Sequence, residues 1–223
     1  TDPINKFVAT NLIEENFFSF KMSDKDTTNW NHDDGSISRK DVNTISSLIC
    51  CGKASSKGLT PISVEKNEDF MMKFWEAIRS VKCFGLPNAK KTTIAAQPVV
   101  LKALAKLCFD LKLGHRNIID PGSCAKLLEA IRTGSLDLSH NNKIWQALFM
   151  PEADRNENFE GISNYVHVPI DANLDAGIFN KENNWVRFGN RHNDIYPRLG
   201  DVIRYKLGFK PRATVTKAIA KEA

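Results

Sequence analysis

The stretch Pro98-Val99-Val100-Leu101-Lys102-Ala103-Leu104-Ala105-Lys106-Leu107-Cys108-Phe109-Asp110-Leu111-Lys112-Leu113 decides the fold class. Leu101, Leu104, Ala105, Cys108 and Leu111 recur at three- and four-residue steps, the spacing of one face of a helix. Pro98 suits a first helical turn, where its missing N–H leaves no hydrogen bond unmade. Gly114 stops the pattern, and Lys102 and Lys106 fall together on the opposite face.

Similar signals lie on both sides. Ser38 and Asp41 have capping-box spacing ahead of Val42, Ile45, Leu48 and Ile49, with Gly52 as the stop, which predicts a helix over 39–51. Residues 53–65 read as an exposed connection. Asn67 is placed to cap a helix whose first turn carries Glu68 and Asp69 and whose stripe is Met71, Phe74, Trp75, Ile78 and Val81, ended by Gly85 and Pro87. Asn88-Ala89-Lys90-Lys91 then makes a short basic turn.

Beyond the opening segment, helices are expected over 122–133 and 142–150, the latter with Asp137 or Ser139 as its cap and Trp145 inward, and from near Pro197 to Leu207, with Gly208 as the stop. Residues 151–184 are acidic and rich in Asn, Asp and Gly, and read as loop. Tyr165-Val166-His167-Val168 and Trp185-Val186-Arg187-Phe188 are brief strand candidates. The fold class is therefore mainly α, a helical bundle-like domain with a few short strands in the C-terminal third. Residues 1–150 read as the helical domain and 151–223 as a loop-rich segment packed on it.

A chain of 223 residues with 42% hydrophobic residues and 13 Phe can bury a real core and does not match a disordered composition. No stretch approaches the roughly 18 consecutive apolar residues of a membrane span, and the N-terminus lacks a secretory signal pattern. The expectation is a soluble cytoplasmic protein with no membrane partner. Because the chain opens Thr1-Asp2-Pro3 without Met, it is expected to be a fragment of a longer protein. Cys50, Cys51, Cys83, Cys108 and Cys124 lie mostly in apolar runs without C-x-x-C or Cys/His spacing, the signature of buried thiols in a reducing compartment.

The formal charge is +5, and it is unevenly spread. From residue 186 onward there are nine basic residues, Arg187, Arg191, Arg198, Arg204, Lys206, Lys210, Arg212, Lys217 and Lys221, against Asp194, Asp201 and Glu222, a local +6. The remainder carries a local −1. Such asymmetry points to a polyanion partner. Arg198, Arg204 and Lys206 read as partly sharing the solvent face of the last helix, opposite Leu199, Val202 and Ile203, with Lys210 and Arg212 continuing into the tail. Together with Arg187 and Arg191 they are the candidate contacts to DNA phosphates, where each neutralised charge releases counterions.

Catalytic signatures are absent: no Gly-rich phosphate loop, G-x-G-x-x-G, G-x-S-x-G or H-E-x-x-H occurs. No catalytic residue, metal ligand or cofactor is therefore expected. The densest polar cluster, Gly189-Asn190-Arg191-His192-Asn193-Asp194, reads as a loop with Asn193 or Asp194 capping the last helix; His192 and Asp194 as an acid/base pair beside Arg191 is the sharper alternative. Asp33-Asp34 next to Gly35 reads as a turn rather than a cation site. His32, His115, His140 and His167 are scattered and pair with no nucleophile.

The order of segments resembles a known family. Gly35-Ser36-Ile37-Ser38-Arg39 at an early helix start, Phe74-Trp75, Val100 to Leu107, Leu136 to Trp145 and the closing Leu207-Gly208-Phe209 together resemble the C-terminal half of the DNA-sulfur-modification-associated DndB-like proteins, also called DGQHR-domain proteins. The spacing Asp137-x-Ser139-x-x-Asn142-x-x-Trp145 is the most telling piece. The sequence departs from the family's pattern at Leu138 and His140, and the Asp-Gly-Gln-His-Arg motif is absent.

The resemblance implies a cytoplasmic bacterial DNA-binding transcriptional regulator tied to a DNA phosphorothioate modification or defence system, with this chain as its C-terminal helical part. Implied partners are double-stranded DNA and other proteins of the modification system; a homo-oligomer is also allowed. Two other readings stand beside it: the helical half of a ParB-like nuclease or nucleotide hydrolase, and a protein-interaction module of a DNA-modification complex.

Overall fold

The computed structural model describes residues 2–18, 20, 22–25, 29–113, 122–166 and 177–212. In chain order the elements are α1 (Pro3–Phe7), α2 (Arg39–Cys51), α3 (Pro61–Glu65), α4 (Glu68–Arg79), α5 (Pro98–Leu113), α6 (Ser123–Thr133), α7 (Glu152–Asn158), β1 (Ile178–Asn180), β2 (Trp185–Arg187) and α8 (His192–Leu207). A 3-10 helix at Lys143–Phe149 and shorter turns complete the set, so the molecule is mainly helical with two short antiparallel strands near its C-terminal end. Among the described residues no helix is long and apolar enough to cross a membrane.

Helix α5 occupies the centre because its apolar residues extend beyond one stripe. Val100, Leu101, Ala103, Leu104, Ala105, Leu107, Cys108 and Leu111 are all buried, and α2, α6 and α8 pack around it. Four of the five residues of the stripe predicted on α4, Met71, Phe74, Trp75 and Ile78, are fully buried, whereas Val81 lies past the helix end and is half-buried; the Trp75 indole donates to Ser46 Oγ at 3.1 Å. Lys102 and Lys106 do not stand free on an outer face. Lys102 pairs with Asp41 of α2 at 2.6 Å and Lys106 with Asp110 at 2.8 Å, their stems lying along the protein surface.

Helix ends follow the local chemistry where a side chain is free to cap. Ser38 accepts the Asp41 N–H at 3.0 Å and donates its hydroxyl to Asp41 Oδ2 at 2.6 Å, and α2 stops at Gly52 as the spacing predicts. Asn67 does not cap α4 with its side chain. Its amide donates to Ser63 O at 2.8 Å and accepts Lys112 Nζ at 2.7 Å, and α4 ends at Arg79, well before Gly85.

Several elements depart from the sequence expectations. Asp2 caps α1 through the N–H groups of Ile4 and Asn5, and α1 runs on into a π-helical segment, Val8–Glu14, that buries Val8 and Leu12. Thr60 and Ser63 form a reciprocal capping box that starts α3 inside the stretch read as a connection, and α7 forms inside the stretch read as loop. Helix α8 begins at His192 rather than near Pro197, so Pro197 lies inside it at the sixth residue, where the ring removes one main-chain donor from the helix. The expected strand near Tyr165 is absent at Tyr165 and Val166; His167 and Val168 lie outside the described residues.

The segment that carries the most telling spacing folds as a self-bonded turn. Asp137 accepts Ser139 N at 2.7 Å and Ser139 Oγ at 2.8 Å, while its own carbonyl accepts Asn142 Nδ2 at 2.8 Å and the Trp145 indole N–H at 3.2 Å. Asn142, not Asp137 or Ser139, caps the following 3-10 helix. Trp145 is fully buried. Each residue of the pattern has a structural duty, so the spacing reports a turn.

All five cysteines are free; Cys50, Cys108 and Cys124 are buried, and Cys51 and Cys83 are partly so. Burial pushes the Cys50 thiol up to about 11, which leaves it protonated and unreactive at neutral pH.

Candidate nucleic-acid interface

Strand β2 is the base of the candidate site. Its alternation sends Val186 and Phe188 into the core and leaves Trp185 half-buried and Arg187 exposed on the outer face. One edge pairs with β1, Phe179 opposite Val186. The other edge would expose unpaired main-chain groups, and two side chains cover it. Gln97 donates Nε2 to Val186 O at 2.8 Å and accepts Phe188 N at 2.9 Å, in the manner of a neighbouring strand. His140 Nδ1 accepts Val186 N at 3.1 Å.

Because Nδ1 accepts, the neutral imidazole carries its proton on Nε2, which lies 2.8 Å from Lys90 O and donates to it. His140 therefore joins β2 to the turn at residues 89–91. Burial lowers its pKa against the opposing pull of the Lys90 bond, so the neutral form is the resident one.

That turn is tied in its other direction to the segment carrying Trp30. Asp33 accepts Lys90 N and Lys90 Nζ, both at 2.7 Å, and the two side chains are almost wholly buried. Asn88 N donates to Asp33 O at 2.9 Å. Gly35 sits at φ +84°, and a Cβ there would come within 2.4 Å of Leu86 O, so only glycine permits this approach of the two segments. Asn29 accepts Asn31 N at 2.9 Å and starts the single turn that presents Trp30.

The outcome is a pair of indoles between two cations. Trp30 and Trp185 have ring centroids 5.5 Å apart at an interplanar angle of 39°. The Arg187 guanidinium lies 5.8 Å from the Trp30 ring and Lys91 Nζ 5.8 Å from the Trp185 ring, within the range of cation–π attraction. A cleft of about 260 Å³ opens against Trp30, with Gln97, Lys102, Arg187 and Asn190 on its walls. A larger one of about 570 Å³ opens beyond Lys91, with Lys82, Thr92, Asp137 and Ser139. Arg132 also reaches that cleft but spends its guanidinium on Glu129 through two bonds of 2.6 and 2.7 Å.

The residues expected to touch DNA are divided by the fold. Arg187 belongs to the indole pair, and Arg191, at the start of α8, is exposed. Lys206 and Lys210 are exposed near the far end of α8. Arg198 and Arg204 are not on a solvent face. They are 8% and 1% exposed, because α8 packs lengthwise on α5 and has little outer surface. Arg212 makes two 2.6 Å bonds to Asp201, which also lies 3.8 Å from Arg204. Burial raises Asp201 and lowers Arg204 in pKa, so this is an interior ionic cluster rather than a phosphate grip. Lys217 and Lys221 lie outside the described residues.

The polar run before α8 also differs from expectation. Arg191, not Asn193 or Asp194, occupies the cap position, with no side-chain cap bond. His192 is partly buried, and burial together with nearby Lys102 lowers its pKa. Among the described residues no group of three His, Cys, Asp or Glu side chains could hold a metal ion. Trp30, Lys91, Gln97 and His140 were not singled out by sequence. The one signal available was the alternation Trp185-Val186-Arg187-Phe188, which places an aromatic and a cation on one face. No family model, curated protein or solved structure matches the chain.

Proposed function

We propose that the chain is a DNA-binding regulatory module without catalysis of its own, the C-terminal helical part of a DndB-like transcriptional regulator that serves a bacterial DNA phosphorothioate modification or defence system in the cytoplasm. The observation that carries DNA binding is the half-exposed Trp30–Trp185 pair with Arg187 and Lys91 beside it. Cations attract phosphates, and aromatic faces add contact with bases or sugars that a purely ionic patch lacks. Arg191, exposed at the start of α8, adds a further cation to the surface. The order of segments described above supports the regulator assignment, with operator DNA as the principal partner and proteins of the modification system as others.

The test is a gel-shift titration of the full-length protein on its own promoter fragment at two salt concentrations. Binding that weakens steeply as salt rises is expected, with a slope of about −0.9 per phosphate neutralised. No shift, or a shift insensitive to salt, overturns the proposal.

A further inference from the structure

Resting on that reading, we infer that the Trp30–Trp185 pair receives an unpaired base, so that the preferred partner is DNA with locally exposed bases rather than a fully paired duplex. The four tryptophans of the chain divide sharply. Trp75 and Trp145 are 0% exposed and serve packing, whereas Trp30 and Trp185 are only half-buried. A paired duplex offers phosphates and groove edges but keeps its base faces stacked on one another. A site for phosphates alone needs cations; half-buried indoles add a stacking surface that an unpaired base can reach.

The pair is also held from behind. Gln97 and His140 fix β2 beneath Trp185, and the buried Asp33–Lys90 pair fixes the turn that presents Trp30. Rings fixed in place lose little freedom when a base stacks on them. The clefts of about 260 and 570 Å³ on the Trp30 and Lys91 sides leave room for the flanking nucleotides, with Arg187 in one and Lys91 and Lys82 in the other to meet their phosphates.

The experiment uses the full-length protein and three labelled probes of one sequence at one salt concentration: a paired duplex, the same duplex with a central unpaired bubble, and the single strand. Affinity is read by anisotropy and stacking by quenching of intrinsic tryptophan emission. The bubble and the single strand are expected to bind roughly tenfold or more tightly than the paired duplex and to quench the emission. Trp185→Ala and Trp30→Ala are expected to abolish both the preference and the quenching, with circular dichroism confirming that each variant is folded. If either variant is unfolded, the wild-type comparison of the three probes still decides. A paired duplex bound as tightly as the bubble, without quenching, overturns this inference and leaves DNA binding standing. Binding to none of the probes overturns both.

Discussion

His140 Nδ1 accepts the main-chain N–H of Val186 at 3.1 Å, so the edge of β2 is closed by a ring nitrogen that must stay unprotonated. Protonation turns that acceptor into a donor facing a donor. Burial lowers the pKa of His140 in the fold, as it does for His192 with Lys102 adding to the effect. The unfolded chain thus takes up protons first as pH falls. Stability is complete above the unfolded value near 6.5 and declines below it toward the lower folded pKa. The melting midpoint of the wild type is expected to drop between about pH 7.5 and about pH 5.5. His140→Gln should start lower by about 1–3 kcal/mol and show a shallower drop, since the proton uptake linked to His140 is then gone. A variant as steep as the wild type contradicts this assignment.

Gln97 supplies the remaining closure of the same edge, donating to Val186 O and accepting Phe188 N. Gln97→Leu leaves both main-chain groups buried and unpaired, at a cost of about 1–3 kcal/mol for each. Gln97→Glu keeps the acceptor for Phe188 N but faces Val186 O with a carboxylate oxygen. Urea midpoints should therefore be lowered in both variants. If Gln97→Leu leaves the midpoint unchanged, Gln97 is not the surrogate strand described here.

The helices around α5 were legible because their signals are local. Ser38 and Asp41 sit three apart, Gly52 follows the last apolar residue, and Leu101, Leu104, Cys108 and Leu111 keep the helical period whatever lies beside them. The candidate site was not, because it depends on long-range partners. Asp33 meets Lys90, His140 meets Val186 and Gln97 meets Phe188 across 57, 46 and 91 residues of chain. The basic end misled for a related reason. Residue spacing places Arg198 and Arg204 on a helix but does not tell that the helix is covered, nor that Asp201, held by Arg212, lies buried beside Arg204.

The Asp33–Lys90 pair predicts an asymmetric response. Asp33→Asn leaves a buried ammonium without its counter-charge, and destabilisation of about 3–5 kcal/mol is expected. The double change Asp33→Leu with Lys90→Met removes both charges and should recover part of that loss, read as chemical unfolding midpoints. A double variant no more stable than Asp33→Asn would mean that the bond from Lys90 N to the Asp33 side chain, and not the charge, carries the effect.

The division of the basic residues into surface and interior predicts which ones set salt dependence. Arg187 and Lys91 stand exposed beside the indole pair, and Arg191 is exposed at the start of α8. Replacing any of the three by Ala is expected to weaken DNA binding and to reduce the slope of log affinity against log salt by about 0.9. Arg204 is 1% exposed and faces Asp201. Arg204→Met should leave that slope unchanged while shifting thermal stability, because it alters a buried ionic cluster rather than a phosphate contact. Salt titrations of the four variants on one probe separate the two classes. A slope reduced by Arg204→Met but not by Arg187→Ala would return the DNA-contacting role to α8.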